Sequence, residues 1–357
     1  MKVLSIVGAR PQFIKAAPVS RALRERHTEV LVHTGQHYDY AMSEVFFEEL
    51  GIPAPDVNLA VGSGSHGEQT AEMLVAIERL LVAERPDCVL VYGDTNTTLA
   101  GGLAAAKLTI PVAHVEAGLR SFDRTMPEEV NRVLVDHLSD LLLCPTTTAV
   151  KNLADEGVTA GVELVGDVML DTARFNAERW DAGAVLDSFG VEPGAYFLAT
   201  VHRASNADSP EHLGSIVDAL SALDKPVIWP VHPRTAKNLA AFGLDARIAA
   251  AGTIRAVTPI SYREMVGLLS NAAALLTDSG GMQKEAYFFG IPCVTMRDET
   301  EWVETVESGW NVLVGADATA IVEAVRGRTI PSERPEVYGT GHAADAVVAA
   351  LERHDFG

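Results

Sequence analysis

The chain has 357 residues, 48% of them hydrophobic and 21% charged, and a formal net charge of −20. That length exceeds what one hydrophobic core usually organises, so two domains are expected, and the composition excludes a disordered chain. The acidity argues against nucleic-acid binding, which needs a basic face, and it makes every Arg, Lys or His near a glycine turn informative.

Apolar runs at 3–7, 30–33, 88–92, 112–115, 141–144 and 162–165 read as strands, and helical patterns fill the gaps between them. A second series follows at 196–201, 227–231, 254–257, 273–276, 293–296 and 312–314. Nearly continuous apolar character marks strands covered on both faces, so the chain is predicted to form two doubly wound, Rossmann-like parallel α/β sheets in tandem, with ligands at a shared cleft. The expected domains are 1–168 and 169–340, with a seam near 166–171 and a helix within 341–357 that packs back on the first domain. No signal-like leader precedes the first strand and no run is long enough to span a bilayer, so a cytoplasmic protein without a membrane partner is expected. Cys88, Cys144 and Cys293 lie in apolar runs and suit reduced core residues.

Polar residues gather at the strand ends. The first strand ends in Gly8-Ala9-Arg10-Pro11-Gln12, and Lys15 follows about one turn into a helix. Arg10 offers a planar fork for phosphate; a turn cap for Arg10 and a solvated face for Lys15 are the ordinary alternatives. The second strand runs into Thr34-Gly35-Gln36-His37-Tyr38-Asp39, a glycine turn dense in hydrogen-bonding groups. Further on come Gly93-Asp94-Thr95-Asn96, then His114-Val115-Glu116-Ala117-Gly118-Leu119-Arg120, then a helix start at Met126-Pro127-Glu128-Glu129-Val130-Asn131-Arg132. Asp94, Glu116 and Glu128 thus come from adjacent parts of one sheet edge. Neighbouring carboxylates in a partly dry setting raise one another's pKa, which lets one hold or trade a proton near neutrality. Asp94 and Glu128 can equally serve as helix caps, and Arg132 as the ion-pair partner of Glu128 one turn earlier. Glu116, between a buried strand and a glycine turn, is harder to explain by structure alone.

In the second series, His202 and His232 close successive strands, positions suited to acid/base or phosphate-binding work. No third ligand stands at a metal-like spacing, so no metal is expected. The segment Asp278-Ser279-Gly280-Gly281-Met282-Gln283-Lys284-Glu285 follows an apolar run and opens a helix read over 282–289. Paired glycines let a ligand approach the backbone, free N–H groups at the helix start favour a phosphate, and Glu285 can accept from sugar or ribose hydroxyls.

Together these motifs, in this order and over essentially the whole chain, resemble the non-hydrolysing UDP-N-acetylglucosamine 2-epimerases. The resemblance implies the two-domain glycosyltransferase-B architecture, a homodimer, a UDP-sugar partner and no cofactor. It also implies C2 epimerisation through loss of the C2 proton and anti-elimination of UDP, giving bound 2-acetamidoglucal, followed by re-addition. By that analogy Asp94, Glu116, Glu128 and His202 match the proton-transfer and positioning residues. Arg10, Lys15, Arg132, His232, Ser279, Gly280 and Gly281 would hold the diphosphate, and Glu285 the ribose. Three departures stand out. Ser205 occupies a slot where the family often has Glu. Thr300-Glu301-Trp302-Val303-Glu304 replaces Thr-Glu-Arg-Pro-Glu, as in a subgroup that includes epimerases of modified sugars such as UDP-diacetamido-glucuronate. Gly62-Ser63-Gly64-Ser65-His66-Gly67 lies where regulated relatives carry allosteric contacts.

Overall fold

The structure, a computed structural model, describes residues 1–35, 51–327 and 329–356. The predicted turn residues Gln36 to Asp39 lie outside these. The described chain forms two compact units, 1–174 with 336–357, and 175–335.

The first unit holds a seven-stranded parallel sheet of β1 (Lys2–Val7), β2 (Thr28–His33), β3 (Val57–Asn58), β4 (Cys88–Tyr92), β5 (Val112–Val115), β6 (Leu141–Cys144) and β7 (Val162–Leu164), in the order β3-β2-β1-β4-β5-β6-β7. Apart from Lys2 at the start of β1, its central strands are buried along their whole length, which is why they read as unbroken apolar runs without period-two alternation. Leu4, Ile6, Val89 and Val91 pack with Met73, Ile77 and Leu81 of the helix His66–Glu84 and with Ala100 and Ala104 of the helix Asn96–Lys107. β3 is only two residues long, too short to leave a sequence pattern.

Residues from Glu336 onward belong to this unit. The Asp167 N–H donates to the Tyr338 carbonyl at 3.0 Å, and the Asp171 carboxylate accepts from the N–H groups of Ala343 and Ala344 at 3.1 and 2.8 Å. Those bonds cap the final helix, Ala343–Arg353, which buries Val347, Val348 and Leu351.

The second unit holds a six-stranded parallel sheet of β8 (Phe197–Thr200), β9 (Val227–Pro230), β10 (Ile254–Val257), β11 (Ala274–Thr277), β12 (Cys293–Thr295) and β13 (Asn311–Leu313), ordered β10-β9-β8-β11-β12-β13. Trp229, Leu213, Ile216, Leu276 and Ile321 anchor one face of its core; Tyr196, Leu198, Leu268 and Leu275 anchor the other. In both sheets the strand order reverses at the centre, between β1 and β4 and between β8 and β11. Open α/β sheets present their ligand crevices outside the carboxyl ends of such strands.

Candidate functional site

At the switch point of the first sheet, β1 runs into Gly8 and Ala9, and a helix, Arg10–Arg26, starts at once with Pro11 at its first turn. The Gln12 side chain accepts from the N–H groups of Gly8 and Ala9 at 2.8 and 3.1 Å and donates to the Tyr92 carbonyl at 2.9 Å, stitching this turn to the end of β4. Gly8 admits no side chain: a Cβ there would come within 2.1 Å of Thr97 Oγ1 and 2.2 Å of Thr34 Oγ1.

Lys15, one turn along the helix, is buried and ion-paired with Glu116 Oε2. Glu116 itself is buried and has φ +73°, a left-handed conformation that a non-glycine residue adopts at a cost of about 1–3 kcal/mol. The surrounding turn over-determines that strain. The N–H groups of Glu116 and Ala117 donate to the Leu143 carbonyl. Gly118, φ +80°, lies so close to the Ala149 carbonyl that a Cβ would sit 2.4 Å from its oxygen. The Lys15–Glu116 pair lies beside the β4 turn, since a Cβ at Gly93 would be 2.9 Å from Lys15 Nζ and 3.4 Å from Glu116 Oε2.

Asp94, the next residue, is held by the helix Pro127–Leu138. Arg132 Nη2 pairs with Asp94 Oδ2, Arg132 Nη1 donates to Glu129 Oε2 at 2.9 Å, and Asn131 Nδ2 donates to the Asp94 carbonyl at 2.9 Å. Glu129 also accepts from the N–H groups of Ser121 and Phe122, both at 3.0 Å. Of the alternatives for Arg132, the structure gives pairs with Glu129 and Asp94, while Glu128 stands exposed on the first turn of the helix. Asp94 and Glu116 each have a cation beside them, Arg132 and Lys15.

In the second unit, β8 and β11 are joined at their ends by Thr200 Oγ1 and Thr277 Oγ1, 2.6 Å apart. Asp278, fully buried, accepts from the N–H groups of His202 (3.1 Å) and Arg203 (3.0 Å) and from Asn206 Nδ2 (3.2 Å), and lies 3.1 Å from His202 Nδ1. Burial opposes the charge of Asp278, but the His202 contact and the two N–H groups outweigh it and hold its pKa below the usual carboxylate range. His232 caps the helix Pro233–Ala241, its Nδ1 accepting from the Arg234 N–H at 3.2 Å, and its ring centre is 5.9 Å from that of His202. Lost hydration, then the positive fields of His202 and Arg234, lower the His232 pKa.

The helix after β11 spans Gly280–Phe289, two residues earlier than its composition suggests, with Ser279 as its N-cap. Gly280 and Gly281 are thus its first two residues, and their N–H groups are among those a helix leaves unpaired. The Ser279 side chain makes no cap bond. Glu285 is buried, with Oε1 accepting from the Tyr262 hydroxyl at 2.8 Å. Trp302 is buried too: its ring lies 3.9 Å from Lys284 Nζ, and its Nε1 would be 3.4 Å from a Cβ at Gly280. Glu301, chelated by Arg297 at 3.1 and 3.3 Å, would be 3.7 Å from that same Cβ.

A family model described as UDP-N-acetylglucosamine 2-epimerase matches residues 21–352. The chain belongs to the UDP-N-acetylglucosamine 2-epimerase family. It is 51% identical over 355 residues to a UDP-N-acetylglucosamine 2-epimerase homolog of Methanococcus maripaludis, covering 98% of this chain and 99% of that one. It is 50% identical to the UDP-2,3-diacetamido-2,3-dideoxy-D-glucuronate 2-epimerase of Pseudomonas aeruginosa, covering 99% and 100%. Its fold superimposes on the Methanocaldococcus jannaschii UDP-GlcNAc 2-epimerase, solved in complex with UDP-GlcNAc and UDP, with a TM-score of 0.90 at 44% identity over 99% of this chain and 100% of that one. The two Rossmann-like parallel-sheet domains are those of the family's glycosyltransferase-B architecture.

The sequence motifs of this family contained His114, Glu129, Asn131 and Asp278, yet their roles as partners of the candidate groups emerge only from the fold. Asp136 lies outside every motif. Its only sequence signal is a polar residue on the helix face of Glu129 and Arg132, where the buried Val135 is its neighbour. Among the described residues no helix is long and apolar enough to cross a membrane.

Proposed function

We propose that the protein interconverts UDP-GlcNAc and UDP-ManNAc as a non-hydrolysing 2-epimerase. Its C2–H bond breaks as the electron pair forms C1=C2 and expels UDP from C1; UDP then re-adds once a proton reaches the opposite face of C2. The observation that carries this reading is Glu116, a buried carboxylate in a left-handed conformation against Lys15, at the switch point that also presents Asp94. A strained, buried and charged residue at a ligand-binding edge is a signature of a working group.

In this reading Asp94, Glu116, Glu128 and His202 carry or position protons. Their roles divide by chemistry: the C2–H is a weak acid, so one carrier must take its proton and another supply one on the opposite face. Lys15 and Arg132, already paired with carboxylates, can follow the charge that passes to departing UDP. Arg10, His232, Ser279 and the N–H groups of Gly280 and Gly281 suit the diphosphate, and Glu285 the ribose hydroxyls. A cytoplasmic homodimer that supplies an activated sugar for polysaccharide synthesis is the setting this reading implies.

A second reading concerns the sugar. The 50% identical Pseudomonas aeruginosa protein is named for a UDP-diacetamido-glucuronate, and Trp302 gives this chain a bulky wall beside Gly280. Incubation with each UDP-sugar in turn, followed by product analysis, separates the possibilities. UDP-ManNAc from UDP-GlcNAc supports the first reading, and turnover of the diacetamido-uronate alone supports the second. Free ManNAc with UDP would mark a hydrolysing enzyme and overturn both.

A further inference from the structure

We infer that Asp136 is a positioning residue: one buried carboxylate braces both strand-end turns that present Asp94 and Glu116. This rests on the epimerase reading for its catalytic consequence, but its structural part stands alone. Asp136 is 1% exposed, in the helix Pro127–Leu138. Its Oδ1 lies 2.8 Å from His114 Nδ1, and its Oδ2 accepts from the Gly118 N–H at 3.1 Å and from Arg120 Nη1 at 2.6 Å.

The two arms end at the two turns. His114, fully buried on β5, places Nε2 2.7 Å from the Gly93 carbonyl. A carbonyl only accepts, so Nε2 donates to it while Nδ1 faces the Asp136 carboxylate, and the ring is held at both nitrogens. Gly93 has φ +62° and is followed directly by Asp94, so the His114 bond locks the turn that aims Asp94. The other arm reaches Gly118, which closes the left-handed turn at Glu116. Burial opposes the charge of Asp136, but His114 and then Arg120, whose Nε and Nη2 donate to Glu156 at 2.7 and 2.8 Å, outweigh it and hold the Asp136 pKa below its usual range. The two arms end on main-chain groups, the Gly93 carbonyl and the Gly118 N–H. They fit a role exerted through backbone geometry, where a displacement of about 1 Å costs roughly 10²-fold in rate.

Peptide-resolved amide hydrogen exchange, read beside steady-state kinetics, tests the brace in Asp136→Asn and His114→Gln. For Asp136→Asn the expected result is faster exchange in both 93–96 and 116–120, a fall in kcat of roughly 10²-fold, and UDP affinity within about twofold of the parent. For His114→Gln, whose side chain cannot span Gly93 and Asp136 together, the faster exchange is expected in 93–96 alone. That asymmetry is what mere destabilisation would not give. If Asp136→Asn does not fold, His114→Gln decides by the same local criterion. Unchanged exchange at both turns, or a uniform loss of protection throughout the first unit, would overturn the inference. If the parent protein fails to epimerise any UDP-sugar, the activity reading falls, while the exchange pattern still judges the brace.

Discussion

At the switch point of the first sheet, charged side chains answer one another: Lys15 with Glu116, Arg132 with Asp94 and Glu129, Asp136 with His114 and Arg120. At the switch point of the second, much of the bonding comes from the main chain. Asp278 collects the N–H groups of His202 and Arg203, and the helix from Gly280 offers its unpaired N–H groups without a side-chain cap. The difference fits the two chemical tasks of the proposed reaction. Proton transfer needs ionisable groups whose charge is balanced nearby, so that gaining or losing a proton does not strand an ion. Holding a diphosphate needs fixed donors with no competing counterion, and backbone N–H groups at a helix start supply them.

Removing one charge from the first constellation should therefore affect chemistry far more than binding. Glu116→Gln is expected to slow C2 exchange by roughly 10²–10⁴-fold, the range of a lost acid/base group, while UDP affinity by calorimetry stays near that of the parent. A matched loss of UDP affinity would erase the division between the units.

The second unit is expected to fail first through packing. Trp302→Ala removes a buried ring that lies over Lys284, and a stability loss of about 3–5 kcal/mol in chemical denaturation is expected. In the first unit the corresponding weakness is the backbone. Gly118→Ala forces a Cβ toward the Ala149 carbonyl at φ +80°, with an expected loss of about 1–3 kcal/mol from conformation alone and a further drop in kcat.

The smallest effect is a pH dependence. The folded-state pKa of His232 is depressed, so the unfolded chain binds its proton at a higher pH than the folded one. Its contribution is present above the ordinary histidine value of about 6.5 and is lost as pH falls through the lower folded value. His232→Asn should flatten that part of the stability-against-pH curve on the acid side. Asp278, also depressed, acts at lower pH, below the ordinary aspartate value of about 3.9. An unchanged curve in His232→Asn would show that the His202–His232 approach carries no electrostatic cost.

Much of the fold was legible because fully buried parallel strands leave unbroken apolar runs; the ranges 88–92, 112–115, 141–144 and 254–257 coincide with β4, β5, β6 and β10. Legibility ended where meaning depends on a partner distant in sequence. Glu128 and Glu129 are indistinguishable as letters, yet one is exposed and the other clamps Ser121, Phe122 and Arg132. Lys15 reads as a phosphate ligand or a surface residue, and only the fold brings Glu116, 101 positions away, against it. The start of the Gly280–Phe289 helix was hidden by its two glycines, poor helix formers that sit where helical N–H groups are unpaired. Asp136 left the faintest trace of all, a polar residue on a buried helix face.

The most direct measurement is proton NMR of UDP-GlcNAc incubated in deuterated water with the parent protein and with Glu116→Gln. Growth of UDP-ManNAc carrying deuterium at C2 in the parent, and its near disappearance in the variant at saturating substrate, is the expected result. Equal deuterium incorporation by both proteins would contradict the placing of proton chemistry at the strained carboxylate of the first unit.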